Sequence, residues 1–147
     1  MSILSDLFAI NSEDASEICK PENFSSTQTK WKFEETPGLS EIKLAQLLCI
    51  LRDRDFSEEE LDGFKAIYAE SDEEGPWVYA ISRELLDEVE NFDEENLRLA
   101  AMEWLEADEV AEDNWDFHHV EATLKALQEM AKFASMNQKK LVLRICL

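Results

Sequence analysis

Between Ser57 and Glu121 the chain carries 23 Asp and Glu against three basic residues, Lys65, Arg83 and Arg98. That stretch accounts for the whole net charge of −20, because the two flanks hold 11 acids and 11 bases and cancel. Carboxylates are rarely buried without partners. Each element in this region must therefore keep a solvated face and pack through an apolar stripe. Charges of one sign at this density also repel each other in the folded state. A small domain stays soluble with a net charge of roughly 2–8, so solubility alone does not account for the bias.

The apolar content of 45% is too high for a disordered acidic tail, and three glycines with three prolines leave few places for linkers. A chain of 147 residues is the size of one ordinary domain, so residues 1–147 read as a single unit. Cys19, Cys49 and Cys146 are dispersed and odd in number, which argues against a secreted disulfide framework and for a reducing cytoplasm. The start, M-S-I-L-S-D-L-F, lacks the basic residues of a signal peptide. The most apolar run, L-A-Q-L-L-C-I-L, falls well short of the ~20 residues of a membrane span.

Periodicity then divides the chain into elements. L-F-A-I reads as a short strand, followed by a short helix capped by Ser12. Residues 21–36 are polar and irregular and match no motif, although W-K-F alternates like a strand fragment. Ser40 caps an amphipathic helix with Ile42, Leu44, Leu47, Leu48 and Leu51 inside and Glu41, Lys43, Gln46 and Arg52 outside. F-S-E-E-E-L is a capping box on Ser57 and Glu60 that opens a further short helix. F-K-A-I-Y-A and W-V-Y-A-I-S flank the loop S-D-E-E-G-P and form a hairpin. Ser82 and Asp93 cap two helices, a long helix runs from about Asp116 to Met136, and K-K-L-V-L-R-I-C-L is a terminal strand. The sum is an α+β fold: a small, mainly antiparallel sheet packed against several helices, with the last strand beside W-V-Y-A-I.

Both histidines lie in E-A-D-E-V-A-E-D-N-W-D-F-H-H-V-E, at the start of the long helix. His118 and His119 are adjacent and point about 100° apart, so they do not grip one ion together. Asp116 with His119, three residues apart, is the one chelating pair, a weak metal candidate and the centre of an alternative reading as a metal-dependent hydrolase. Glycine-rich phosphate loops, nucleophile elbows and calcium-loop patterns are missing, so no cofactor or catalytic residue is expected. Asp113 and Asp116 also have a plain role, since acids in the first turn of a helix stabilise it.

The charge itself is then the feature to explain. Free nucleic acid and anionic bilayers would be repelled by it, whereas a cationic protein would be attracted. Two stretches set acids beside a tryptophan, the residue that most often anchors an interface. They are Asp72, Glu73, Glu74 and Trp77 in one, and Asp108, Glu109, Glu112, Asp113, Trp115 and Asp116 in the other. The expectation is a non-enzymatic, acidic protein-binding module, of the kind that an immunity or inhibitor protein uses to block a basic partner such as a nuclease toxin. An acidic structural or regulatory subunit, acting through oligomerisation, is the third reading.

One resemblance accompanies this. W-V-Y-A-I-S-R-E-L-L-D-E-V, M-E-W-L-E-A-D-E-V, and a helix closed by a basic turn before L-V-L-R-I-C-L together resemble a group of small acidic bacterial proteins of unassigned function. The likeness covers roughly residues 77–147 and implies a bacterial origin and an α+β fold. It carries no catalytic residues with it.

Overall fold

The computed structural model describes residues 4–21 and 30–146. Its centre is a five-stranded sheet, all antiparallel, in the order β2-β1-β5-β4-β3. The strands are β1 (Leu4–Ile10), β2 (Lys32–Glu35), β3 (Ala66–Ala69), β4 (Trp77–Ala80) and β5 (Lys140–Cys146). The expected hairpin of β3 and β4 forms, and β5 lies beside β4 with Trp77 opposite Ile145 and Tyr79 opposite Leu143. The fold is the α+β arrangement that the periodicity implied. Among the described residues, no helix is long and apolar enough to cross a membrane.

The helices are α1 (Glu41–Arg52), α2 (Arg83–Glu90), α3 (Glu94–Leu105), α4 (Asp108–Glu112) and α5 (Phe117–Met136). They cover one face of the sheet, with α5 against β1 and β5. Val120, Leu124, Leu127 and Ala131 of α5 are buried at the expected spacing, meeting Leu7, Leu141 and Leu143 in the main core. Gln128 of the same helix is half-buried and donates to the carbonyls of Val89 and Phe92 at 3.0 and 2.8 Å. It thereby ties α5 to the end of α2 and the turn that follows it.

A second, smaller core lies on the opposite face of the sheet. Phe8, Ile10, Val78 and Val142 meet Ala15, Ile18 and Cys19, from the two short 3-10 turns after β1. β1 and β5 are therefore covered on both sides. That is why L-V-L-R-I-C is apolar at successive positions, apart from Arg144, instead of alternating. Its one charge, Arg144, donates to Ile18 O at 2.6 Å and pairs with Asp6 at 2.7 Å, with the guanidinium 4.6 Å from the Phe8 ring.

Several local expectations are corrected. Asn11, not Ser12, is the N-cap of the first 3-10 turn, and its N–H donates to the Asp14 carboxylate at 3.2 Å. Ser57 and Ser82 sit at N-cap positions, but neither side chain makes a capping hydrogen bond; the segment Glu58–Phe64 is 3-10. Ser40, Asp93 and Asp116 do cap as expected, accepting from Lys43, Asn96 and His119. Helix α4 was not foreseen. Of the irregular stretch 21–36, residues 22–29 lie outside the described residues; W-K-F leads into β2.

The cysteines are free, with Cys19 and Cys49 buried and Cys146 half-buried. Burial pushes the Cys19 thiol from 9.0 up to about 11, against a smaller opposing pull from Arg144. Burial likewise raises the thiols of Cys49 and Cys146. In the unfolded chain these protons leave first as pH rises, so the native state then binds more protons than the unfolded one. This contribution is complete below pH 9.0 and is lost as pH climbs to about 11. Urea midpoints measured across that window should fall, and Cys19→Ala should make the fall shallower.

Candidate partner-binding groove

The site is built on a buried lysine. Lys43 was expected on the outer face of α1, yet it is 2% exposed. Its Nζ donates to Gly38 O at 2.8 Å, pairs with the Asp113 carboxylate, and lies 5.0 Å from the centre of the Trp115 ring. Gly38 makes this possible: its φ of +80° suits glycine, and a Cβ there would sit 3.1 Å from Trp115 Nε1. The backbone of Lys43 is used as well, since its carbonyl accepts from Trp104 Nε1 at 3.0 Å.

Trp115 is therefore part of the core. It is 9% exposed, edge-on to Trp104 at 6.0 Å and stacked on the His119 ring at 4.0 Å. The expectation that Trp115 offers an exposed anchor is corrected: the Lys43 ammonium, the His119 ring and the Gly38 turn enclose it. Its neighbour Asp113 keeps 49% of its side chain exposed and reaches the surface above Lys43.

That surface is a groove of about 320 Å³ where α1, β4, β5 and α4 meet. Glu41, Ile42 and Lys43 line one side, Glu109 of α4 and Asp113 at its C-cap another, and Trp77, Tyr79 and Ile145 of the sheet form the apolar wall. Helix α4 is held to α1 by the Lys43–Asp113 pair and by Glu109 N–H donating to Gln46 Oε1 at 3.3 Å. Trp77 and Tyr79 are half-buried. Burial raises the Tyr79 phenol above its ordinary value, and the Glu41 carboxylate adds to the effect. Glu41 and Glu109 take part in no ion pair among the described residues, so the groove joins two uncompensated carboxylates to two aromatic side chains. A Lys or Arg side chain is the natural occupant of such a site, favoured by the carboxylates and by ring faces alike.

Trp77 is positioned by the hairpin turn. Gly75 N–H donates to Ser71 O at 2.9 Å and Glu70 N–H to Pro76 O at 3.0 Å, which closes the loop. Gly75 has φ +67°, and a Cβ there would come within 2.5 Å of Trp77 Cε3. Asp72, Glu73 and Glu74 are exposed in this turn, N-terminal to Trp77. Asp108 and Glu112 are exposed on α4 outside the groove lining, and Asp116 is exposed at the start of α5. The two acidic stretches singled out in the sequence thus share one groove through Trp77, Glu109 and Asp113. Glu41, Lys43 and Tyr79 were missed, and only their position in the fold brings them in.

The Asp116–His119 pair is engaged in local structure. Asp116 Oδ1 accepts from His119 N–H at 2.8 Å, and His119 Nε2 lies 2.8 Å from Pro37 O. A carbonyl only accepts, so Nε2 carries a proton in this arrangement. Among the described residues, no three His, Cys, Asp or Glu side chains come together in a way that could hold a metal ion. The chain matches no family model, no curated protein and no solved structure.

Of the 23 acids between Ser57 and Glu121, seven form ion pairs among the described residues: Glu60, Asp62, Glu84, Asp87, Glu88, Asp113 and Glu121. The other 16 do not.

Two substitutions test how the groove is held. Lys43→Met leaves Gly38 O without its donor and frees Asp113, and should cost about 2–3 kcal/mol in urea unfolding. The cost stays below that of a fully buried pair because Asp113 is half in water. Gly75→Ala meets both the positive φ and the Trp77 ring. It should cost about 1–3 kcal/mol and shift the tryptophan fluorescence of the folded protein.

Proposed function

We propose that this chain is a non-enzymatic binding module for a basic protein. In this reading it acts in the cytoplasm as an immunity or inhibitor protein, covering the cationic cleft of a partner such as a nuclease. The observation that carries the reading is the groove, where Glu41, Glu109 and Asp113 face Trp77 and Tyr79 across a space suited to a cationic side chain. The partially covered indole of Trp77 takes the anchoring role that the sequence had divided between Trp77 and Trp115. Partly buried aromatic side chains are strong contributors to binding energy, and rim acids such as Asp72, Glu73, Glu74, Asp108 and Glu112 speed the encounter. The same charge disfavours nucleic acid and anionic lipid as ligands.

Affinity capture from a lysate of the source cell, at low and at high salt, tests this. Basic proteins should be retained at low salt and reduced at high salt, because the encounter is electrostatic. A Trp77→Ala, Glu41→Gln, Glu109→Gln variant, which alters the groove and leaves Lys43 and Asp113 paired, should retain at least tenfold less. Retention of only neutral or acidic proteins, or equal retention by the variant, would count against the reading.

A further inference from the structure

The outward face of α3 departs from the ordinary pattern of a surface helix. Leu97, Ala100, Ala101 and Trp104 turn into the core. At 3.6 residues per turn, Leu99 and Met102 fall on the opposite side, where a surface helix ordinarily carries polar residues. They are 51% and 53% exposed, neighbours at i and i+3. Glu95 and Glu106 extend the same line at either end, with Glu103 beside it. All three are exposed, and none takes part in an ion pair among the described residues. Arg98 is the one basic residue of the helix.

We propose that this face is a second docking strip, separate from the groove at Trp77. Its occupant is an amphipathic helical segment of a partner, with apolar residues over Leu99 and Met102 and Lys or Arg residues against Glu95, Glu103 and Glu106. Charge complementarity selects this occupant. A second copy of the chain would bring the same acids face to face, whereas a basic segment neutralises them while covering the apolar pair. Leu99 and Met102, at i and i+3, lie in one line along the helix, so the apolar stripe of a second helix can cover both. The methionine suits such a contact because its unbranched thioether adapts to different neighbours. The inference takes from the proposed function only the sign of the partner's charge.

The probe is a fluorescent synthetic amphipathic peptide of leucine and lysine, with a leucine–glutamate peptide as its control, followed by anisotropy. The lysine peptide should bind the wild-type chain, and the glutamate peptide should not. A Leu99→Gln, Met102→Gln variant keeps every charge and should bind the lysine peptide at least about tenfold more weakly, with its helical circular dichroism unchanged. The same double substitution should weaken binding as much in a Trp77→Ala background, where the groove is altered. Equal binding by the double variant would overturn the inference, since the contact would then be charge alone. If Trp77→Ala removed binding and the double variant did not, the peptide would sit in the groove: the strip would be lost and the binding-module reading kept. Light scattering that found a wild-type dimer dissociated by the double variant would also overturn the strip, by making its occupant a second copy.

Discussion

The ammonium of Lys43 is the joint on which this structure turns. Removing such a charge from water costs several kcal/mol unless partners replace its hydration. Here the replacements come from three places in the chain: the Gly38 carbonyl, the Asp113 carboxylate and the face of Trp115. Meeting that demand fixes the turn before α1, the end of α4 and the start of α5 relative to one another. The Lys43 carbonyl, bonded to Trp104, brings α3 into the same joint. A five-residue helix such as α4 is far too short to persist by itself. Its position, and with it the placement of Glu109, rests on the buried Val110, the Glu109–Gln46 bond and the pair with Lys43.

The sheet poses the complementary problem of covering two faces with a short chain. Helices close one side, and the segment Ser12–Cys19 closes the other with Ile18 and Cys19. Arg144 ties that segment to β5 through Ile18 O while its charge is balanced by Asp6 on β1. The two buried cations, Lys43 and Arg144, thus act alike. Each fastens an irregular segment to a regular element through a backbone carbonyl as well as through a carboxylate. The acidic middle of the chain supplies one of those carboxylates and leaves most of the others to solvent.

Much of the architecture was legible because it follows from patterns of short range. W-V-Y-A-I and L-V-L-R-I-C have the residues of strands, and their pairing follows from there being few other partners. Asp93 and Asp116 announce helix starts because a carboxylate bonded to a free N–H is a local event. Lys43 was misread for the opposite reason. Helical spacing places it between apolar residues at the edge of a stripe, and nothing nearby in sequence reveals an acid 70 residues on that would accept its charge. Trp115 was misread along with it, since what encloses that indole is Lys43, His119 and a left-handed glycine. The groove was half visible: the sequence pointed to Trp77, Glu109 and Asp113, but it held no sign that they meet, or that Glu41 and Tyr79 join them.

The remaining question is why a fold would keep, among its described residues, 16 acids without ion-pair partners in one region. Their mutual repulsion acts against the compact state whenever the protein is alone. It also cannot be an unavoidable by-product of the fold, because the flanking segments build β1, α1 and β5 with balanced charge. A cationic partner reverses the sign of the effect, since each acid it meets removes a repulsion as well as adding an attraction. The free protein is then less stable than its packing allows, a difference that the proposed complex would recover. On this physical ground the groove at Trp77 and the outer face of α3 belong together: each sets half-buried or exposed apolar side chains among acids of which only Asp113 has an ion-pair partner among the described residues.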